Sequence, residues 1–373
     1  MRFVDAHTHM ELFAFKEIDL EDVKDLRDLL RKLEGFEGEY LALWGWDEKK
    51  VGVFLERKHI DHIEFPLLLI RVDGHMGVVN SRAVEVLGLE GSDRFDPEKG
   101  HVFEETLWDV ANRLKPKGER LAKCIRKGLL RARDMGIVEV HDFVDDEVAR
   151  IYLSEEDLPV RVVLMPYYDS YKEVLKNFEE KDTVRLGWVK VYVDGSIGAR
   201  TAYLKEPYAD RDDWRGVLLK TREEIAKIVE ELEGQGLRVS LHAIGDGAIE
   251  ECIRAFEEVG PRLRYHRIEH AELITEEQAL RAKKLNLLLC TQPNFNPYFM
   301  ETYVKALGEE RAKRINPLEM IDSLGVPMIF GSDMMPFDPI FGFRYAEKVL
   351  GRDRAEYYYF GWREEGRYID LSF

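Results

Sequence analysis

The segment VDAHTH, residues 4–9, sets His7 and His9 one residue apart directly behind a hydrophobic start. In an extended strand residues i and i+2 face the same way, so both imidazoles project from one face. Two neutral imidazoles side by side are half of a metal site. Polar residues of matching chemistry recur within or at the ends of later apolar runs: Lys190 in WVKVYVDG, His242 in LRVSLHAI, His270 in HRIEHAEL and Asp333 in VPMIFGSD. Imidazole nitrogen with carboxylate oxygen suits a divalent metal, zinc first, with iron or manganese as alternatives. Lys190 lies between Val189 and Val191 and therefore faces the opposite way from both. A buried ammonium is costly unless it is paired or discharged. Once neutral, its amine can add carbon dioxide to become a carbamate, a bidentate anion able to bridge two metal ions. Singly each residue has a plainer use, His242 and His270 as core histidines and Asp333 as a turn cap. The expectation of a metal centre rests on their combination.

The elements that must position these residues alternate along the chain. From about residue 137, strand-like words (IVEVHDF, PVRVVLMPY, WVKVYVDG, LRVSLHAI, HRIEHAEL, LNLLLCTQP and VPMIFGSD) are separated by helical or loop-plus-helix stretches. Thr221 with Glu224, and Thr275 with Gln278, read as capping boxes, and Gly234 and Gly236 mark a helix stop. This spacing predicts parallel strands joined by crossover helices. With RFVDAH at the start the strands number eight, as in a (β/α)8 TIM barrel, whose C-terminal strand ends share one rim. The expected organisation is an α/β barrel over 1–12 and 119–350, an inserted α+β subdomain over 13–118 above the barrel mouth, and a tail over 351–373. A shorter insertion, roughly 196–220, follows the fourth strand. The aromatic AEYYYFGW near the C-terminus is expected to cover a barrel end.

Composition narrows the partners. The chain has 373 residues, 45% of them hydrophobic, which suffices for a large core, and 72 acidic against 55 basic residues give a net charge of −17. That field repels phosphate backbones, so nucleic acid and anionic membrane surfaces are not expected partners. Cys124, Cys252 and Cys290 are far apart with no CxxC, which reads as core packing rather than disulfides or a thiolate metal site. No run reaches the roughly 18 apolar residues of a membrane span, and no signal peptide is evident, so a cytoplasmic location is expected. Abundant charge with few Asn and Gln matches proteins of high-temperature organisms.

The flanking words are more specific. GWDE (45–48), RVDGHMGVVNSRA (71–83), VKVYVDGSIGART (189–201), HAIGDGAIE (242–250), RIEHAEL (267–273), QPNF (292–295) and GSDMMPFDP (331–339) resemble, in family order, the amidohydrolase-3 branch of the amidohydrolase superfamily, which includes N-substituted formamide deformylase-like enzymes. The resemblance implies metal-dependent hydrolysis of a C–N bond in an amide, N-acyl, formamide or cyclic amide substrate. It implies His7, His9, Lys190, His242, His270 and Asp333 as metal ligands, with Lys190 carboxylated. Asp333, Lys190 and His242 would serve catalysis, Asp333 as the base that passes a proton from a metal-activated hydroxide to the leaving amine. Members of the branch usually carry a small β-sandwich and a full helix after the eighth strand. Here the sandwich is expected to be missing or rudimentary, and much of that helix absent.

Substrate contacts are expected from Trp46, Asp47, Asp73 and His75 in the insertion, from Asp194 and Arg200 in DGSIGAR, and from His141 at the rim. Arg200 could grip a substrate carboxylate bidentately. Glu269 and Asp246 are candidates for supporting the ligands or capping helices. The alternatives are a phosphoesterase-type metallohydrolase, a nuclease of similar opening motif, and a metal- and ligand-binding barrel without turnover. Homo-oligomerisation is left open.

Overall fold

The computed structural model describes residues 2–361 apart from Glu21, Asp73, His75 and Asp93. Two compact units divide the chain, Met1–His9 with Leu129–Phe373, and Met10–Gly128.

In the first unit, besides a short strand Val184–Leu186 between the third and fourth, eight strands follow one another: β1 (Phe3–Thr8), β2 (Ile137–Val144), β3 (Arg161–Pro166), β4 (Trp188–Tyr192), β5 (Arg238–Ala243), β6 (Arg267–His270), β7 (Leu288–Thr291) and β8 (Met328–Phe330). One sheet holds β1, β2, β3 and the short strand Val184–Leu186, and the other holds β4 to β8 in chain order. Every pairing in both sheets is parallel. The strands are buried on nearly all positions, as parallel sheets covered on both faces require. At one edge of the sheets Tyr167 bridges Lys190 in parallel, and the Tyr168 amide donates to the Lys190 carbonyl at 2.9 Å. At the other, the Asp333 amide donates to the His7 carbonyl at 2.9 Å. The arrangement is of the TIM-barrel type.

Helices fill the crossovers where the sequence signals them. Thr221 and Thr275 both form reciprocal capping boxes, opening Arg222–Gly234 and Glu276–Lys284. The expected loss of the helix after the eighth strand is corrected by a 12-residue helix, Pro339–Leu350. Asp338 accepts from the amides of Ile340 and Phe341, and Pro339 occupies the first turn, where its missing N–H costs nothing. Among the described residues no strand precedes β1 or follows β8. The aromatic run near the C-terminus closes on Phe3, with Tyr359 edge-on at 5.6 Å and Phe360 at 4.9 Å between ring centres. Cys124, Cys252 and Cys290 are free and buried. No helix among the described residues is long and apolar enough to cross a membrane.

The second unit is α+β. Strands Leu41–Trp46 and Leu67–Arg71 pair in parallel, and Met76–Val79, His101–Phe103 and Phe95–Asp96 continue the sheet antiparallel. Alternate residues serve opposite faces: Leu67 and Leu69 pack with Leu29 and Leu33, whereas Leu68 and Ile70 pack with Leu107 and Val110.

Candidate metal centre

Three local features aim the first-strand histidines. The register of β1 against β2 slips between Asp5 and Thr8, so one extra residue is accommodated just before the rim. Thr8 turns away from its neighbours and donates to Asp142 Oδ1 at 2.9 Å, while the His7 and His9 rings lie 5.4 Å apart. Gly331 lets β8 approach, because a Cβ there would lie 2.5 Å from the His7 backbone nitrogen. Two proposed ligands sit in the left-handed region, His270 at φ +69° and Asp333 at φ +50°. Non-glycine residues rarely adopt it, and such turns concentrate at functional sites.

The side chains from distant strands meet. Asp333 Oδ1 lies 3.4 Å from His7 Nε2 and 3.3 Å from His9 Nε2. Ligating atoms of His7, His270 and Asp333 all fall within 4.8 Å of one another. The His242 ring is 4.5 Å from that of His270, and its Nε2 is 3.1 Å from the Gly195 carbonyl oxygen. Lys190 is buried, with Nζ 4.0 Å from the Phe143 ring centre and 5.0 Å from that of Tyr192.

The electrostatics favour lone pairs over protons. Burial pushes His7 down to about 4 and His242 to about 3, and places His270 well below the ordinary histidine range. Burial also lowers Lys190 to about 8, although the Glu269 and Asp333 carboxylates favour its charge. At Asp333 burial opposes ionisation, but the imidazoles of His7, His9 and His270 hold its carboxyl well below the usual range. Neutral imidazoles around an ionised carboxylate are what a divalent cation requires.

The second nitrogens test the fit. His7 Nδ1 lies 2.7 Å from Glu269 Oε2, and His270 Nδ1 lies 2.8 Å from Gln292 Oε1. With Nδ1–H donated outward, each Nε2 is left with its lone pair facing the cluster, the arrangement found behind metal-binding histidines. Glu269 is itself held by Ser240 Oγ at 2.5 Å and by Arg267 Nε at 2.7 Å. The residues present therefore fit a divalent cation. The second grouping of potential ligands, His7, Glu269 and Cys290, is a hydrogen-bonded support, since Glu269 is already engaged by Arg267 and Ser240.

Most of the other residues singled out from the sequence lie elsewhere, but Asp194 adjoins the cluster, with Oδ1 3.7 Å from His242 Nε2. Asp194 is buried and accepts from the amides of Tyr203, Ile244 and Gly245, so it pins the loop after β4 to the end of β5. Arg200 directs its fork at Asp210 and at the carbonyls of Ile197 and Gly198 rather than at an open position. His141 is not at the rim. It sits inside β2, stacked on Trp188 at 5.9 Å, with Nδ1 3.0 Å from Arg267 Nη1. Within the second unit, Trp46 is buried and donates to the Leu69 carbonyl, and Asp47 caps the helix Glu48–Val51. Asp73 and His75 lie outside the described residues. Asp246 Oδ1 accepts from the Lys205 amide.

Sequence reasoning missed Arg267, Ser240, Gln292, Tyr167 and Tyr192. A usable signal existed for some: Ser240 and Arg267 alternate with His242 and Glu269 on β5 and β6, hence share their faces.

A model of the amidohydrolase family matches residues 3–371 of the chain. YtcJ of Bacillus subtilis, named as an amidohydrolase, is 26% identical over 385 residues, covering 92% of this chain and 72% of that protein. Protein LONG AFTER FAR-RED 3 of Arabidopsis thaliana is 26% identical over 361 residues, covering 83% of this chain and 61% of its own length. An uncharacterised metal-dependent hydrolase from Pyrococcus furiosus superposes with a TM-score of 0.85 at 28% identity, over 96% of this chain and 80% of that one. One from Pyrococcus horikoshii OT3 gives 0.84 at 27% identity, over 96% and 79%. Matched over nearly its whole length, the chain belongs to the amidohydrolase family and is a hydrolase of that superfamily.

Proposed function

We propose that this chain hydrolyses a C–N bond, in an amide, N-acyl, formamide or cyclic amide group of a small molecule, at a metal centre on the rim of a closed eight-stranded barrel. The observation that carries this reading is the Asp333 carboxylate, with His7 Nε2 at 3.4 Å and His9 Nε2 at 3.3 Å from one of its oxygens. His7, His9, His242, His270, Asp333 and a carbamate on Lys190 would hold one or two divalent ions, zinc by preference. Such an ion polarises a carbonyl and brings the pKa of water towards neutrality.

The chain's own groups do the rest. Lys190, lowered to about 8, presents a free amine to carbon dioxide in part of its population. Its lone pair forms the N–C bond, and one proton leaves to solvent. Asp333 is ionised, and its side chain is 18% exposed whereas that of His7 is 1% exposed, so the carboxylate is the reachable base. It takes the proton released as water adds to the carbonyl and returns it to the departing nitrogen, which then leaves as a neutral amine.

Elemental analysis of the purified protein, combined with a screen of N-acyl, N-formyl and cyclic amides against phosphoesters, tests the proposal. Bound zinc, iron or manganese with chelator-sensitive amide turnover is expected. A protein without affinity for these ions, or one that turns over only phosphoesters, would overturn it.

A further inference from the structure

Glu139, His141 and Phe143 alternate along β2 and so share one face. The Phe143 ring lies 4.5 Å from that of His7. One side-chain repeat away, His141 lies beside Arg267 of β6, whose guanidinium is wholly buried. Arg267 Nε is 2.7 Å from Glu269 Oε1, and Nη2 donates to Glu269 Oε2 at 2.9 Å and to the Ala6 carbonyl at 2.7 Å. Nη1 meets His141 Nδ1 at 3.0 Å and a weaker acceptor, Met165 Sδ, at 4.0 Å.

A guanidinium carries donors only, so this contact requires a lone pair on His141 Nδ1. The ring proton then sits on Nε2, which lies 3.5 Å from Glu139 Oε1. Glu139 is itself bound by Arg161 Nε at 3.0 Å. A proton on both ring nitrogens would set N–H against N–H at Arg267. Burial, reinforced by Arg267 against the pull of Glu139, holds His141 below the ordinary histidine range. Trp188 serves as a common floor, stacked on the imidazole at 23° and 4.7 Å from the guanidinium carbon. Hydrogen-bonding and charged groups thus run in a row from the partly exposed Arg161 through Glu139, His141, Arg267 and Glu269 to His7.

Two nitrogens of the Arg267 fork grip Glu269, and the third decides how the fork is turned. Without an imidazole acceptor, Nη1 keeps only a thioether as partner, and a buried charged N–H left so poorly paired pulls the guanidinium out of register. Glu269 would move with it, and Glu269 is what orients His7.

We infer that His141 is a positioning residue for the metal centre: its Nδ1 lone pair holds Arg267 on Glu269, and so fixes the proton on His7 Nδ1 and the aim of His7 Nε2. This rests on the metal-dependent reading above and adds to it a residue that touches neither the ligands nor the rim.

Zinc affinity of the full-length protein is measured by competition with a chromophoric chelator for wild type, His141→Asn, His141→Leu, Glu269→Gln and the double variant Glu269→Gln/His141→Leu. Thermal melts of the metal-free proteins check folding, and nitrogen NMR of metal-free wild type reads the His141 tautomer. The spectrum should show a bare Nδ1 and a protonated Nε2. His141→Leu should weaken zinc binding by about tenfold, the low end for loss of an outer support. His141→Asn, whose Oδ1 can accept in place of Nδ1, should bind within about threefold of wild type. In the Glu269→Gln background His141→Leu should cost nothing further, because both act through one chain. A protonated Nδ1, zinc affinity unchanged in His141→Leu, a loss in His141→Asn as large as in His141→Leu, or a full additional loss in the double variant would overturn the inference. Should His141→Leu fail to fold, the tautomer and the His141→Asn affinity decide it. Amide turnover with zinc affinity indifferent to His141 would sink the inference and leave the hydrolase reading standing. Zinc affinity governed by His141 without turnover of any amide would do the reverse.

Discussion

His7 Nδ1 and Glu269 Oε2 meet at 2.7 Å with both side chains closed to solvent. Glu269 is further tied by Arg267 Nε at 2.7 Å, so a buried cation, a carboxylate and an imidazole stand in series behind the candidate metal centre. The carboxylate fixes the proton on Nδ1, and the guanidinium keeps the carboxylate ionised well below its ordinary range against the cost of burial.

Glu269→Gln therefore weakens metal binding by about tenfold to a hundredfold, as loss of such a support does elsewhere. It also leaves Arg267 buried without a counter-charge, at a cost of roughly 3–5 kcal/mol. Competition against a chelator of known affinity reads the first effect and a denaturant melt the second. Metal affinity equal to wild type would refute the role assigned to Glu269.

Asp333→Asn keeps the size of the side chain and removes the base. Turnover of any amide found in the screen should drop by about a hundredfold to ten-thousandfold. The pH–rate profile should also lose the limb set by this carboxyl. Steady-state kinetics over a range of pH checks both.

Lys190, with its pKa brought down to about 8 by burial, reacts with carbon dioxide faster as pH rises through that value, because only the free amine is nucleophilic. Isotope-labelled bicarbonate with zinc should give a carbamate carbon resonance in wild type and none in Lys190→Ala. Its absence from metal-loaded wild type would count against a bridging carbamate.

Glu250 offers a test remote from the metal centre. Burial raises its pKa, but Arg281, Gln278 and Lys205 outweigh this and hold it to about 2, against an ordinary 4.5. A carboxyl depressed on folding adds stability above its unfolded value and loses it as pH falls towards the folded one. The melting-temperature advantage of wild type over Glu250→Gln should be full above about pH 5 and fade towards pH 2. An advantage that does not change across that range would show that Glu250 contributes only shape.

Arg200→Ala should cost roughly 1–3 kcal/mol of stability through its lost charged hydrogen bonds. It should leave the preference between anionic and neutral substrates unaltered, because its guanidinium serves Asp210. Melting curves and paired KM values separate the two.

The sequence by itself determined what depends on neighbours a few positions away. Alternating β-branched runs specify parallel strands, Thr221 and Thr275 open their helices, and spacing within each strand tells which residues share a face with a histidine. A shared rim for the strand ends, the expectation from that alternation, implies that His7, His9, His270 and Asp333 meet, and these side chains do come together. The helix after the eighth strand was expected to be largely absent, although Asp338 before Pro339 already spells the cap of Pro339–Leu350. Tertiary structure alone decided the choices between competing partners. Arg200 could equally have faced a ligand or an acid, and the fold of its loop delivered Asp210. His141 reads as a rim residue until the strand bounds place it inside β2, beside Arg267. Ring stacking at Tyr192 arises from Tyr167, just after β3, and from His242 on β5 as much as from β4. Charge pairing, burial and access are properties of neighbours in space, and a chain folded over more than three hundred positions fixes those neighbours only when its strands have paired.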